Sequence, residues 1–293
     1  MREIKVGDIV GRKSYNKDIY FKVTKIIDIG DDNKTASLKG LDVRLCATAP
    51  LEDLEVVEPS KVASYWRMTM SKNHDAMRHV FKRRQEERKR GLMRSVPEKP
   101  GPGDVEGFDV PGSVLHIDGD GDYLDLCMTT YKQLKIPANG YHIAEAQQPE
   151  KINKLLQEHR PDLLVITGHD GFVKGTKDFS EIKNYHNSKN FVNSVKAARS
   201  YEKSRDDLVI FAGACQSHYE AILSAGANFA SSPQRVLIHA FDPVFVVEKV
   251  SYTSIYDPIA LRDVIAGTIT GFDGIGGMET RGKHRLGVPL SPY

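Results

Sequence analysis

From residue 113 onward, short apolar runs alternate with amphipathic stretches. The runs VLHID, GYHIAEA, DLLVITG, LVIFAGA and RVLIHA predict five buried strands. The stretches DYLDLCMTTYKQL, PEKINKLLQEHR, YEAILSAGA and IALRDVIAGTIT predict helices, and a long polar, partly helical insertion separates the third strand from the fourth. Apolar strands that alternate with amphipathic helices are typical of a parallel sheet covered on both faces. The pattern therefore predicts an α/β domain over residues 113–293, with a mostly parallel sheet flanked by helices.

The N-terminal residues 1–58 have a different pattern. The segments DIVGRK, IYFKVTKIIDI, TASLKGL and LEVVEP are rich in β-forming residues, and polar turns at residues 30–33 and 48–50 separate them. Strands this short and closely spaced predict a small SH3-like β-barrel.

Residues 59–112 connect these two parts as a helix followed by a linker. Residues 60–94 contain no proline, Ser60 is placed to cap a helix, and basic residues dominate the second half. This basic helix is interpreted as a solvated face or charged linker, as a docking surface for anions, or as a segment for cleavage after basic residues. Residues 95–112 hold four prolines and four glycines in eighteen positions, which predicts an accessible linker.

Composition excludes several classes of protein. No apolar run approaches the roughly 20 residues that span a bilayer, and the charged start MREIKVGDIVGRK does not resemble a signal peptide, which predicts synthesis in the cytoplasm. Three cysteines without a CxxC pair argue against a disulfide framework or a structural zinc site. The net charge of +2 is too small to indicate nucleic acid as the partner of the whole chain. We expect no metal and no cofactor in the chemistry.

Two reactive side chains follow apolar strands directly. His169 follows LLVITG, and Cys215 follows VIFAGA. Side chains at the carboxyl ends of neighbouring parallel strands share one edge of the sheet, so an imidazole and a thiol there predict a catalytic dyad for acyl transfer. A helix after Cys215 is expected to lower the pKa of the thiol. Backbone N–H groups of Cys215 and of Asp170 or Gly171 are candidate oxyanion donors.

These motifs resemble those of the clan CD peptidases, which include the caspases, legumains, gingipains, clostripain and separase. In that clan an apolar strand ends in His-Gly, and a later apolar strand ends in Ala-Cys. This chain has His169 and Ala214-Cys215, but it reads His169-Asp170-Gly171 where the clan has His-Gly. The resemblance implies a caspase-like fold for residues 113–293, with His169 and Cys215 as the dyad.

Over nearly its whole length the sequence resembles the YabG family of sporulation-specific cysteine proteases. The matching segments are KVGDIVGRKSY, the basic helix, VLHIDGDGDYL, ITGHDG and FAGACQSHYEAILSAGANFASSP. The resemblance implies an endopeptidase of the mother-cell cytoplasm that associates with the spore coat and cleaves coat and coat-morphogenetic proteins after arginine. It also implies cleavage of the chain itself, for which Arg90 and Arg94 beside the linker are candidate sites. Neither a membrane nor a nucleic acid is expected as a partner.

In the clan CD peptidases the end of this strand lies beside the specificity pocket, so the resemblance makes the acidic turn after the first strand of this domain a candidate specificity pocket. Asp118 and Asp120 lie in the sequence Asp-Gly-Asp-Gly-Asp, and a carboxylate there would pair with a substrate guanidinium. The alternative interpretation is a polar turn that caps the following helix.

Three other functions compete with the peptidase. An amidotransferase-like hydrolase would pair Cys215 with His239 at the end of RVLIHA, although Ser217 stands where the nucleophile turn of that class has glycine. A phosphatase would use Asp118 and Asp120 as a DxD motif. A non-catalytic scaffold would bind anionic surfaces or nucleic acid through the barrel and the basic helix. The run GFDGIGG at residues 271–277 predicts only a loop.

Overall fold

The N-terminal part forms an antiparallel sheet. A computed structural model describes residues 3–28, 34–95, 108–176 and 178–287. Strands β1 (Ile9–Arg12), β2 (Tyr20–Asp28), β3 (Lys34–Gly40), β4 (Cys46–Pro50) and β5 (Leu54–Val56) pair in the order β4-β3-β2-β1-β5. Alternating side chains of these strands form a small core of their own, which includes Val10, Phe21, Val23 and Leu38.

The prediction of a turn at residues 48–50 is wrong, because these residues belong to β4. Pro50 pairs with Thr35 at the last position of β4. This strand lies at the edge of its sheet, where a missing N–H leaves no ladder hydrogen bond unmade. The other strands predicted in this part are confirmed.

The predicted basic helix is present as α1 (Pro59–Ser95). It begins at Pro59 rather than after a cap at Ser60, and the carbonyl of Glu58 accepts the first N–H bonds, from Lys61 and Val62. The side chains of Arg90 and Arg94 and most of the predicted linker lie outside the described part of the chain.

In the described ranges, the C-terminal part contains a six-stranded sheet. Its strands are β7 (Val114–Asp118), β8 (Ala138–His142), β9 (Leu163–Thr167), β10 (Val209–Ala212), β11 (Phe229–Ser231) and β13 (Ile275–Gly277), in the order β13-β11-β10-β9-β7-β8. All neighbouring pairs are parallel except β11 with β13. Strand β6 (Phe108–Val110) pairs with β15 (Arg285–Gly287), and β12 (Pro258–Ile259) pairs with β14 (Thr280–Arg281).

Helices cover both faces of this sheet. The cores place α2 (Gly121–Gln133), α6 (Asp242–Tyr252) and α7 (Leu261–Ile265) on one face, and α3 (Gln148–His159), α4 (Ser188–Tyr201) and α5 (Tyr219–Ser224) on the other. Successive residues of β10 alternate between the two cores, as expected for a strand buried on both sides. The predicted α/β domain with a parallel-rich sheet flanked by helices is confirmed.

Three elements near the C-terminus differ from the prediction. RVLIHA does not form the fifth strand; that position belongs to the three-residue strand β11, and of RVLIHA only His239 forms a β-bridge, with Val43. The glycine run predicted as a loop supplies β13. Helix α6 went unpredicted because residues 242–251 are buried on every side, so the segment shows no amphipathic period.

Basic residues of α1 bind the buried helix α6. Arg83 and Arg84 both pair with Glu248, whose side chain is almost fully buried, and Lys249 pairs with Glu87. Arg84 also stacks on the ring of Tyr252. This part of the basic helix therefore holds the fold together instead of presenting its charge to solvent.

Candidate active site

The two predicted catalytic residues follow neighbouring strands at the same level. Strands β9 and β10 pair in parallel, with Ile166 opposite Ala212. His169 and Cys215 each lie three residues beyond that pair, since 166 + 3 = 169 and 212 + 3 = 215. Gly213 allows the turn before the cysteine, because its φ of 114° is a conformation that side chains disfavour.

Cys215 is fully buried. Its Sγ atom accepts a hydrogen bond of 3.2 Å from the backbone N–H of Ile238. Burial raises the pKa of Cys215 to about 12, although the N–H groups of Ile238 and Arg44 act in the opposite direction. The expectation of a lowered pKa is therefore wrong for this conformation. Helix α5 begins only at Tyr219, and the absence of water around the thiol dominates.

The His169 ring is bonded to residues other than Cys215. Its Nε2 atom lies 2.8 Å from Asp120 Oδ2 and 3.5 Å from Cys46 Sγ, while its buried Nδ1 atom has no hydrogen-bond partner among the described residues. Burial alone would lower the pKa of His169, but the bonds with Asp120 and Cys46 outweigh this effect and raise the pKa to about 10. Within the described residues, no hydrogen bond joins the His169 and Cys215 side chains.

Asp170 ties the two strand-end loops together. Its carboxylate accepts hydrogen bonds from the N–H groups of Gly171 and Asn187 and from the hydroxyls of Ser188 and Ser217. Gly171 N–H is thereby occupied, whereas the N–H groups of Asp170 and Cys215 have no acceptor in the described part of the chain. The assignment of Asp170, Gly171 and Cys215 as oxyanion donors stays a prediction.

Asp118 is fully buried and already pairs with a guanidinium. Arg44 Nη1 donates to Asp118 Oδ2 over 2.6 Å, and both side chains are fully buried. Thr167 Oγ1 donates to the same carboxylate oxygen over 2.8 Å. Burial alone would raise the pKa of Asp118, but the Arg44 charge and the hydrogen bond from His116 hold it well below its ordinary value.

Asp120 has a different environment from Asp118. Its carboxylate accepts bonds from the N–H groups of Asp122 and Tyr123 at the start of α2, as the capping interpretation expects. It also pairs with Lys39 over 2.6 Å and with His169. Its assignment as a substrate-binding residue stays a prediction, and its contacts in this conformation orient the histidine.

His239, the alternative partner for Cys215, is buried beside the loop that binds the thiol. Its Nδ1 atom accepts a hydrogen bond from the backbone N–H of Phe241 over 3.2 Å, and the backbone N–H of His239 donates to the carboxylate of Asp242. His218 caps α5 through Ala221 and approaches the carbonyl of Ser180. Neither ring is hydrogen-bonded to Cys215 within the described residues.

Sequence reasoning did not assign Lys39, Arg44 or Cys46 to the site, although all three contact its predicted residues. Arg44 is 74 positions from Asp118, and Cys46 is 123 positions from His169. No local motif marks them, because their significance arises only when the N-terminal sheet packs on the α/β domain.

The His169–Asp120 pair predicts a pH-dependent stability. A pKa raised from 6.5 to about 10 means that the pair stabilises the fold fully below pH 6.5 and that this contribution is lost as pH rises toward 10. We expect His169→Gln to lower the free energy of unfolding at pH 6 by on the order of 1–3 kcal/mol, and by progressively less between pH 7 and 10. Denaturant unfolding across this range measures the difference, and His159→Gln is the matched control. A difference that grows with pH would contradict the assignment.

The described residues contain no group of three or more His, Cys, Asp or Glu side chains placed to hold a metal ion. None of the described helices is long and apolar enough to cross a membrane.

Comparison with known proteins defines the class of this protein as a peptidase. A family model described as YabG peptidase U57 matches residues 5–289. The sporulation-specific protease YabG of Bacillus subtilis (strain 168) is 40% identical over 294 residues, which cover 98% of each chain. The chain therefore belongs to the YabG peptidase family, as the sequence resemblance predicted. No solved structure matches it.

Proposed function

We propose that this chain is a cysteine endopeptidase that cleaves after arginine, with Cys215 as nucleophile and His169 as general acid and base. The observation that carries the proposal is the register of β9 and β10, which puts both residues three positions beyond a paired position on one sheet edge. A second observation supports the arginine preference, since the buried carboxylate of Asp118 binds a guanidinium within the same structure.

The proposed reaction is acyl transfer in two halves. His169 takes the proton from Cys215, the thiolate attacks the carbonyl carbon, and backbone N–H groups of Cys215 and Asp170 hold the oxyanion. The carbon–nitrogen bond then breaks, and His169 gives its proton to the leaving amine. In the second half, water gives a proton to His169 and attacks the thioester. The carbon–sulfur bond breaks, and Cys215 recovers its proton.

The family supports a proposal for the natural substrates. The relative in Bacillus subtilis is a sporulation-specific protease, and on that basis we propose spore coat and coat-morphogenetic proteins as substrates, met in the mother-cell cytoplasm and at the coat. The strand order of the N-terminal sheet supports its interpretation as an SH3-like barrel. The helix-covered parallel strands support a caspase-like peptidase domain.

The preference for arginine predicts a measurable selectivity. A set of peptides that differ only in the residue before the cleaved bond, with arginine, lysine or citrulline there, separates shape from charge. We expect the arginine peptide to be cleaved roughly 10- to 100-fold more efficiently than either of the others, because citrulline lacks the charge and lysine lacks the planar fork. Mass spectrometry of the products identifies the bond. Equal cleavage of all three peptides would contradict the assignment of Asp118, and cleavage of none would contradict the peptidase itself.

A further inference from the structure

The loop between β3 and β4, residues 41–45, leaves the N-terminal sheet and enters the candidate active site. Its backbone runs antiparallel to residues 238–240, with Val43 opposite His239. Arg44 N–H donates to the carbonyl of Ile238 over 3.3 Å, and Ala240 N–H donates to the carbonyl of Asp42 over 2.9 Å. An extended peptide that binds along a protein edge through such main-chain bonds has the geometry of a bound substrate.

The side chain of Arg44 is fully buried against Asp118. Besides the bond to Asp118, its Nη2 atom lies 3.4 Å from both the Cys127 Sγ atom and the Ala240 carbonyl. The guanidinium carbon lies 5.2 Å from the centre of the Tyr123 ring. A fully buried guanidinium is costly unless it has carboxylate and hydrogen-bond partners. Both terminal nitrogens of Arg44 have such partners, whereas its Nε atom has none among the described residues.

The loop and the first residue of β4 contact both predicted catalytic residues. The backbone N–H of Arg44 acts on the Cys215 thiol, and the sulfur of Cys46 lies against the His169 ring. Leu45 is the residue between these two contacts. The Arg44–Leu45 bond therefore belongs to the short stretch of chain that contacts both predicted catalytic residues.

Contacts at the start of the loop hold it in place. The hydroxyl of Tyr123 lies 2.7 Å from the carbonyl oxygens of both Gly40 and Val43. Lys39 pairs with Asp120 over 2.6 Å and with Asp122 over 2.7 Å. These bonds join the end of β3 to the first turn of α2, directly beside the predicted dyad.

We propose that residues 41–46 are a built-in, substrate-like inhibitor of this peptidase, in which Arg44 fills the arginine pocket and residues 238–240 bind the main chain. The inference rests on the proposed function, because it takes the Asp118 pocket as the site of the substrate arginine. A substrate must displace the loop, and its own arginine then replaces Arg44 on Asp118, so that the buried carboxylate keeps a partner.

With the loop in the site, neither predicted catalytic residue is in its reactive protonation state. A thiol with a pKa of about 12 and an imidazole with a pKa of about 10 are both protonated at neutral pH, so neither a thiolate nor a free base is available. Departure of the loop admits water to Cys215 and removes Cys46 from His169. Because the loop is tethered, its effective concentration at the site is in the millimolar range, which a free peptide must exceed.

The test compares Arg44→Gln with the wild-type chain, and Arg12→Gln serves as the matched control. Arg12 lies in β1 of the same sheet and pairs with Asp53, away from the site. Each protein is treated with iodoacetamide, and the alkylation of Cys215 is followed by peptide mass spectrometry. Cleavage of a short arginine peptide and the melting temperature are measured on the same samples.

We expect Cys215 in Arg44→Gln to be alkylated at least about tenfold faster than in the wild type, and KM for the arginine peptide to fall by a similar factor. The control variant should match the wild type. Should Arg44→Gln fail to fold, Arg44→Lys keeps a positive charge beside Asp118 and should give an intermediate increase in the alkylation rate of Cys215. Alkylation of Cys215 that is no faster in a folded Arg44 variant than in the wild type would overturn the proposed inhibitor. Cleavage of the wild-type chain between Arg44 and Leu45 would overturn it as well.

The thiol measurement separates the two proposals. Faster alkylation of Cys215 in Arg44→Gln, with no cleavage of the peptide by any of the proteins, would support the occupied cleft and overturn the proposed protease function. Cleavage that is equally fast in the wild type and in Arg44→Gln, with Cys215 equally reactive in both, would support the protease and overturn the inhibitor.

Discussion

Replacement of Cys215 by alanine should lower kcat/KM for an arginine peptide by about 10⁴-fold or more, because no thiol remains to form the acyl-enzyme. The side chain is buried and small, and alanine fills most of its volume, so the melting temperature should change by only a few degrees. Steady-state hydrolysis and thermal unfolding on the same preparation measure both effects.

Ser224→Ala is a suitable control for this variant. It removes one atom from an exposed side chain at the end of α5, the helix that follows the cysteine. Its activity should equal that of the wild type. Undiminished cleavage by Cys215→Ala would remove the thiol from the mechanism, and with it the assignment of a cysteine peptidase.

The second large effect concerns the histidine that works with Cys215. His169→Asn should reduce kcat by on the order of 10²- to 10⁴-fold, since the imidazole moves protons in both halves of the reaction. His239→Asn should cost no more than about tenfold, because its Nδ1 atom only accepts the N–H of Phe241. The pH dependence of kcat should lose its acidic limb only in the first variant, because protonation of His169 at low pH removes the base that takes the proton from Cys215.

His159→Asn is the matched control, because this histidine lies on α3 and bonds with Tyr141. It should leave activity unchanged. A larger loss in His239→Asn than in His169→Asn would favour the amidotransferase-like pairing. Cys215 would then work with the histidine that follows Ile238, the residue whose N–H binds the sulfur.

The regular part of the α/β domain could be predicted because its pattern is local. The apolar runs that became β7, β9 and β10 are bounded by polar turns, and the amphipathic segments of α2 and α3 alternate with them. Strand β11 was too short to stand out from its surroundings. Helix α6 was missed for a different reason. Its residues are buried on every side, so the segment has no alternation of apolar and polar positions at the helical period.

Some positions of the candidate site could likewise be predicted from the sequence, and others could not. The placement of His169, Cys215 and Asp118 at one edge of the sheet was predictable, since each one ends or follows an apolar strand and parallel strands bring such positions to one edge. Arg44 was not predictable, because its role depends on a contact between two parts of the chain that no sequence period relates. The pKa of Cys215 was expected to fall, and it rises because the packed loop excludes the water that a thiolate needs.

The shared carboxylate of Asp170 has a mechanical consequence. One side chain binds both the segment after His169 and the hydroxyl of Ser217 just past Cys215, so the two segments are joined directly to each other. In the proposed inhibition, withdrawal of residues 41–46 exposes the thiol, while these bonds keep the segment that carries the imidazole joined to the segment that carries the sulfur. Such an enzyme would switch on without rebuilding its reaction centre.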